Sequence, residues 1–439
     1  MGKMTAFADS LRNLVANLGT ARDKAAATGY VDTDLSDDDL VAMYRGAWLP
    51  PKIVDLPVQD ACRRWRNWQA ESLDISAIEA EEKRLNLRGK VQQAWISGRL
   101  YGGAALYIGT GDPDPSQPLN PDGVKKGGVK FLSVLNRRAL SVVELERDPL
   151  SPYYNQPKAY QITAANAGVN EIHPSRLVRF IGHQHPDPEL AVGLSFGWGD
   201  SVLNRVVDAV KNADSGAANV ASLLFEAKVD VLKIPNFMSG LSDPDYEAQV
   251  LKRLQLAAVA KGINGALMLD SEEDYQQKNA SFSGLDKVIM TLMQIASGAA
   301  DIPMTRLLGQ SPGGLQATGD SDMRNYYDAV QAGQETVLTP SMSVLDECLI
   351  RSALGSRPKD IYYDWAPLWQ PSAKERADIG KATADTIKVL SDTGLIPEEA
   401  MSKTAVNMLT EAGVAPGLEA AVAEYGAELP DDDEPPLEE

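Results

Sequence analysis

Residues 302–327 read IPMTRLLGQSPGGLQATGDSDMRNYY, and the fold turns on how this stretch is read. The segment before it, Leu285 to Ala300, has a helical period, with Val288, Ile289, Leu292, Met293, Ile295 and Ala296 apolar. Pro303 ends that helix, because proline disfavours helix in the residue before it. Gly309-Gln-Ser-Pro-Gly-Gly follows, too glycine-rich to hold one backbone conformation without a large entropy loss. Asp320 or Ser321 then caps a second helix, whose apolar positions include Met323, Tyr326, Tyr327 and Val330. The predicted layout is helix, glycine-rich loop, long helix. Gly309 and Gly314 have the spacing of a phosphate-binding loop, but Leu315 and Gln316 stand where its lysine and hydroxyl belong. Nothing there reaches a terminal phosphate or magnesium, so a nucleotide site is excluded.

The chain has 439 residues, 44% of them hydrophobic, enough for a sizeable core and for subdomains. No apolar run reaches the ~18–20 residues that span a bilayer. MGKMTAFADSLRNL at the N-terminus lacks the apolar core and cleavage site of a signal peptide. Cys62 and Cys348 form no metal-ligand pattern and fit a reducing compartment. Net charge is −19, of which seven acidic residues lie from Glu428 onward, leaving about −12. Such a protein repels phosphates, which argues against a sequence-reading DNA binder. It is compatible with a channel through which DNA slides without sticking.

In chain order, residues 6–30 read as one or two amphipathic helices. Ser36 and three aspartates start another, to about Arg45. The prolines of WLPPKIVDLP predict an extended piece, and Val58 to Gln69 a helix. There Arg63, Arg64 and Arg66 interleave with Trp65 and Trp68. Phosphate contact with base stacking is one reading; buried tryptophans with arginines bridging acidic neighbours is the other. The net charge favours the second. Ser76 to Ser97 predicts one long helix, weakened at Gly89. Strands follow at 104–108, 129–135, 139–144, 159–163 and 177–181. DPDPSQPLNPDG at 112–123 reads as a loop projecting into solvent.

The histidines are His173, His183 and His185. A metal pair at 183 and 185 lacks any Glu-x-x-His or cysteine partner, so a loop role is the better reading, and no metal or cofactor is expected. Residues 200–227 predict a helix roughly 40 Å long. Its small, polar middle, Lys211 to Asn219, does not suit one ordinary core and suits packing against copies of itself. Beyond it come a strand at KVDVLKIP, a helix from about Asp243 to Ala260, and strands at 266–269 and 274–282. The helix from Ser321 towards Ala353 contains Pro340, which predicts a kink near 336–340. IYYDW at 361–365 is a strand. Ser372 and Glu375 have capping-box spacing for a helix to about Leu390. Helices from Pro397 to Gly413 and from Leu418 to Tyr425 follow, and the tail ELPDDDEPPLEE reads as disordered.

The motif IP-x-x-RLLGQSPGGL-x-ATG-x-SD-x-RNYYD resembles tailed-bacteriophage portal proteins, some of which share their N-terminal region with anti-CBASS nucleases. V-D-x-P-x-x-D at 54–60 and IHPSRLVRFIG at 172–182 also match portal landmarks. The resemblance covers roughly residues 40–410. It implies an α+β portal fold with a β-rich wing, long-helix stem, small α/β clip, kinked long helix and helical crown. In that scheme residues 1–197 form N-terminal helices and wing, 198–227 the first stem helix, 228–283 the clip and 284–301 the second stem helix. Residues 302–320 form the tunnel loop region, 321–370 the kinked helix and wing return, 371–427 the crown and 428–439 an acidic tail. The resemblance further implies a twelve-copy ring at a capsid vertex of the virion, assembled in the host cytoplasm. Double-stranded DNA would meet the loop through Gln310, Ser311, Gly313, Gly314, Gln316 and Thr318. Terminase large subunit and head–tail connector protein would dock at the clip, where Lys228, Lys233, Lys252 and Arg253 lie, and the ring would meet the major capsid protein. No catalytic constellation is present. The enzyme alternative, a two-histidine phosphodiesterase of cyclic oligonucleotides, needs two H-x-[ST] motifs. His173-Pro-Ser175 supplies one and His183-Gln-His185 does not supply the other.

Overall fold

The structure, a computed structural model, describes residues 35–151, 153–162, 171–188, 191, 193–225, 228–233, 245–246, 248–252, 255, 274–279, 282–309, 319–369, 373–411 and 422. Ser36 opens α1 (Asp37–Gly46) with a capping box, as its acidic run predicts. The Ser36 hydroxyl accepts from Asp39 N–H at 3.2 Å, and the Asp39 carboxylate reaches back to Ser36 N–H at 3.3 Å.

The next segment corrects the sequence reading. Its prolines start a helix instead of breaking one: α2 (Leu49–Arg63) carries Pro50 and Pro51 in its first turn, where no intrahelical N–H is needed. Pro57 lies inside it. The helix expected over 58–69 stops at Arg63, and Arg66–Gln69 is strand β1. What overrides the local pattern is a distant partner. β1 pairs antiparallel with the strand Tyr362–Trp365, with Arg66 opposite Trp365. The long helix expected over 76–97 is also two helices, α3 (Ser72–Leu85) and α4 (Leu87–Tyr101). The break is at Asn86, left-handed at φ 49°, a conformation asparagine tolerates. Gly89 leaves room for it: a Cβ there would sit 2.7 Å from Asn86 Oδ1.

Two small antiparallel sheets follow. In one, β2 (Gly103–Gly109) lies between β3 (Phe131–Asn136) and β7 (Leu177–Ile181). In the other, β5 (Tyr160–Ile162) lies between β4 (Leu140–Val142) and β6 (Glu171–Ile172). The first sheet packs with α3 and α4 around Leu87, Val91, Leu106, Ile108, Val178 and Phe180. The loop at 112–123 does not simply project. Leu119 is buried, its N–H donates to Ser175 Oγ at 2.8 Å, and Arg176 bonds Gln117 O and Asp112 at 2.8 Å each.

α5 (Val202–Phe225) and α6 (Leu285–Ala299) run antiparallel: Val206 and Ala299 line one cavity, while Gly216 faces Leu292. Between them β8 (Lys228–Lys233) pairs with β9 (Asp274–Asn279). α6 ends before Pro303 as predicted; α7 (Met304–Leu308) follows, then α8 (Asp320–Gly333). The residue before α8 is Gly319 at φ 73°, so neither Asp320 nor Ser321 is the cap, a second correction at this motif. A π-helical turn at Gln334–Leu338 joins α8 to α9 (Thr339–Leu354), and Pro340 lies in the first turn of α9. The sequence reading places a proline kink at 336–340; the structure has a π turn at Gln334–Leu338, ahead of that proline. α9 packs into the core with Met342, Leu345, Leu349 and Ile350, and β10 (Tyr362–Trp365) closes on β1.

The chain divides into two units, Met1–Ala366 and Pro367–Glu439. In the second, α10 (Ala373–Asp392) and α11 (Glu398–Glu411) pack on each other. The helices expected at 6–30 and near 418–425, the strand at 266–269 and the acidic tail lie outside the described residues, apart from position 422.

Candidate functional site

The glycine-rich loop leaves α7 through Gly309 at φ 70° and returns at Gly319. Its base is built from three helices. α7 supplies Arg306, α8 supplies Tyr326 and Tyr327, and α2 receives them. The Arg306 guanidinium grips Asp60 with two bonds, at 2.8 and 2.9 Å. The Tyr326 hydroxyl donates to the same carboxylate at 3.0 Å. Asp60 is 1% exposed. Burial and the neighbouring Asp60 charge raise the Tyr326 phenol well above its usual range, so it remains a donor. Further ties run along α2. Lys52 Nζ donates to Leu307 O at 2.9 Å, Gln334 Nε2 donates to Ala61 O at 2.7 Å, and Arg63 lies 5.0 Å from the Tyr327 ring centre.

α2 is held in turn by the rest of the body. Arg99 of α4 donates to Val54 O at 2.9 Å and Ile53 O at 3.0 Å, and burial pushes its pKa down to about 10. The Tyr44 hydroxyl donates to Asp55, at 2.9 Å to Oδ1. Beside α2, where α4, α5, α6 and α8 meet, lies a cavity of about 220 Å³ lined by Ile53, Trp95, Arg99, His183, Asp301 and Tyr326 among others.

The Arg/Trp cluster is structural, as the charge argument favours. Arg66 bonds Glu82 at 2.8 Å and Asp346 at 2.6 Å, with its guanidinium carbon 4.6 Å from the Trp68 ring centre and 4.5 Å from that of Tyr363. Trp65 and Trp68 both donate their indole N–H to Glu82, at 3.1 and 3.2 Å. Burial works against the Arg66 charge, but Asp346 and Glu82 outweigh it and raise the pKa. Burial raises the Asp346 carboxyl despite the arginine beside it. Arg66, Trp65 and Trp68 are thus committed to acidic partners within the chain, while Arg63 is exposed and Arg64 partly so.

His173 is a turn cap. Its Nδ1 accepts from Ser175 N–H at 3.2 Å and lies 2.8 Å from Ser175 Oγ. With the Nδ1 lone pair used in this way, a neutral ring carries its proton on Nε2 and offers no free base there. His183 faces the cavity, and burial with Arg205 and Arg99 nearby lowers its pKa to about 4. His185 Nδ1 accepts from Asp187 N–H at 3.2 Å in a loop. Among the described residues no three His, Cys, Asp or Glu side chains are grouped to hold a metal. Cys62 and Cys348 are free and buried, each thiol pushed up to about 12 by burial.

Of the residues expected to meet DNA, Gln310, Ser311, Gly313, Gly314, Gln316 and Thr318 lie outside the described residues. Lys228 and Lys233 occupy the two ends of β8, opposite Asn279 and Asp274, and Lys252 is exposed; Arg253 lies outside. Sequence reasoning did not single out Asp60, Arg306 or Tyr326 as partners. The signal was there in two separate motifs: the last aspartate of V-D-x-P-x-x-D meets the arginine and first tyrosine of IP-x-x-RLLG…RNYYD.

The fold is similar to chains of gene transfer agent (GTA) particles. A chain from the neck of the native GTA particle computed with C12 symmetry matches with TM-score 0.52 and 16% identity, over 92% of this chain and 99% of that one. One from the neck of the empty particle computed with C6 symmetry matches with TM-score 0.50 and 17% identity, over the same shares. In sequence, the phage portal protein family model matches residues 38–389. The chain belongs to the phage portal protein family. It is 44% identical to the anti-CBASS protein Acb1 of Caulobacter sp. strain RHG1, over 95% of this chain and 69% of that protein. For Acb1 of Sphingomonas paeninsulae the values are 39%, 95% and 68%. An uncharacterized protein of Haemophilus influenzae is 30% identical, over 92% of this chain and 90% of its own length.

Proposed function

We propose that this protein is the portal of a tailed phage or phage-like particle. Twelve copies close into a ring at one capsid vertex, through heterologous contacts in which different surfaces meet on each neighbour. Double-stranded DNA passes through the centre during packaging and ejection. The wing is the body around α1–α4, β1–β7 and β10, the stem is α5 with α6, the clip carries β8 and β9, and the crown carries α10 and α11. The terminase large subunit and the head–tail connector dock at the clip, and the major capsid protein surrounds the ring. The role is mechanical rather than enzymatic, and the assembled ring resides in the virion after assembly in the host cytoplasm.

One observation carries this reading. The glycine-rich loop joins the short helix α7 to α8, and both its ends are fastened to one buried carboxylate of the body. A loop so held at its base but glycine-rich at its tip suits non-specific contact with a sliding duplex. Acidic walls limit sticking, consistent with the net charge of −19. Deleting Gly313 to Thr318 is expected to leave a ring of about 570 kDa, twelve times 47.3 kDa, by native mass spectrometry. Packaged-genome yield is expected to fall. A normal yield from that deletion rejects the loop assignment.

The names of two relatives favour a second reading, a phosphodiesterase of cyclic oligonucleotides. About a third of each relative lies outside the matched region. The one H-x-S motif here spends its Nδ1 lone pair on a turn. Turnover of a cyclic trinucleotide that disappears in His173→Ala would establish this reading; no turnover by the intact chain removes it.

A further inference from the structure

Asp60 is the place where the two ends of the loop meet, and this has consequences for how the loop moves. Arg306 is four residues past Ile302 on the entering side, and Tyr326 is two turns into α8 on the returning side. They are twenty residues apart in sequence, yet their terminal polar atoms bond the same carboxylate, at 2.8, 2.9 and 3.0 Å. The loop is therefore closed at its neck, whatever its tip does. Among the described residues, Asp60 is bonded from both sides of the loop, while Lys52 and Ala61 of α2 each hold one side. The carboxylate belongs to neither stem helix nor loop. It rides on α2, which α1 and α4 hold through Asp55, Val54 and Ile53.

We propose that Asp60 is a positioning residue, a wing-borne carboxylate that ties both ends of the channel loop together and makes the loop's neck move with α2. The inference rests on the portal reading for what the loop does, but not for the clamp itself. Two donors of different chemistry divide the work. Arg306 makes a bidentate, charge-assisted pair whose side chain remains partly exposed, whereas Tyr326 is almost wholly buried. Displacing α2 carries both anchors with it and leaves the neck closed. Displacing α7 or α8 alone requires breaking one anchor. A ring that must pass DNA while its stem flexes keeps a loop neck of constant width by this means.

The test is amide hydrogen exchange on the full chain, followed at Arg306, Leu307 and Met323. The first two N–H groups bond Pro303 O and the third bonds Gly319 O. Asp60→Asn is expected to speed exchange at all three by roughly tenfold or more, the scale of one lost charge-assisted bond, with the strands β2 and β7 unchanged. Arg306→Gln is expected to act mainly at 306 and 307, and Tyr326→Phe mainly at 323. Unchanged exchange in Asp60→Asn overturns the proposal. So does equal acceleration across the body in either single-end variant, which would mark general destabilisation. Packaged-genome yield of assembled Asp60→Asn rings separates the two readings. A loss alongside local acceleration supports both; a normal yield with local acceleration keeps the clamp and rejects the loop's role on DNA.

Discussion

Around the buried Arg66, two carboxylates and three aromatic rings, buried or partly buried, are gathered within one chain. Along α5 and α6 the apolar positions run out into solvent. Arg66 is 5% exposed and its partners lie on α3 and α9. Val288 and Ile295 of α6 are each 55% exposed, and Leu223 of α5 is 41%. The change happens within single helices. Val202, Leu203, Val206, Val207, Val210 and Ala213 are buried, whereas beyond them α5 has no buried position among its described residues. The body is a finished core; the outer half of the helix pair leaves large apolar side chains at its surface. The two helices themselves pack closely at Gly216, where a Cβ would lie 2.5 Å from Leu292 Cδ1. What the contrast teaches is that one chain can carry both a self-sufficient core and an exposed apolar surface of the kind the proposed ring would cover.

Three measurements sharpen or break this contrast. The largest effect is expected from Arg66→Met, which leaves Glu82 and Asp346 as uncompensated acids in the core. Urea unfolding of the unassembled chain is expected to show a loss of about 3–5 kcal/mol. A loss under about 1 kcal/mol would mean the body does not depend on its buried charges.

The second effect is pH-dependent and sits at the junction of body and helix pair. His183 has its pKa lowered to about 4 from an unfolded value near 6.5. Between those values the unfolded chain binds more protons, so stability falls as pH drops from about 6.5 towards 4. Discounted for partial exposure, the contribution is about 1–2 kcal/mol. His183→Gln is expected to flatten that part of the stability profile by this amount, and an unaltered slope would refute the assignment.

The smallest effect on stability is expected where the effect on assembly is greatest. Val288→Ser with Ile295→Ser is expected to change unfolding of the unassembled chain by no more than about 0.5 kcal/mol, because both side chains are half in water already. Ring formation by native mass is expected to drop. Should this pair cost as much as Arg66→Met, the helices would be a finished core after all, and the contrast would fail.

Much of the architecture was legible in local pattern. The helix ending before Pro303, the capping box at Ser36 and the strands at 104–108 and 177–181 all follow from proline geometry, caps and alternation. Each misreading has its own cause. Arg66–Gln69 looked helical because its strand partner, Tyr362–Trp365, is adjacent in space but remote along the chain. Pro50 and Pro51 looked like breakers because first-turn prolines and loop prolines read alike until the helix is seen. Asn86 carried no breaker signal strong enough to divide α3 from α4. The loop's glycines pointed to the site, but nothing in the 302–327 stretch names Asp60.

By itself the sequence determined the acidic character, the family and many of the element positions, since these rest on composition, motif identity and short-range sterics. Tertiary structure alone decided which charges are paired. Arg66 with Asp346, and Asp60 with Arg306 and Tyr326, are meetings of residues far apart in the chain. No local period encodes them, because a buried carboxylate is tolerated only where the whole fold brings its donors.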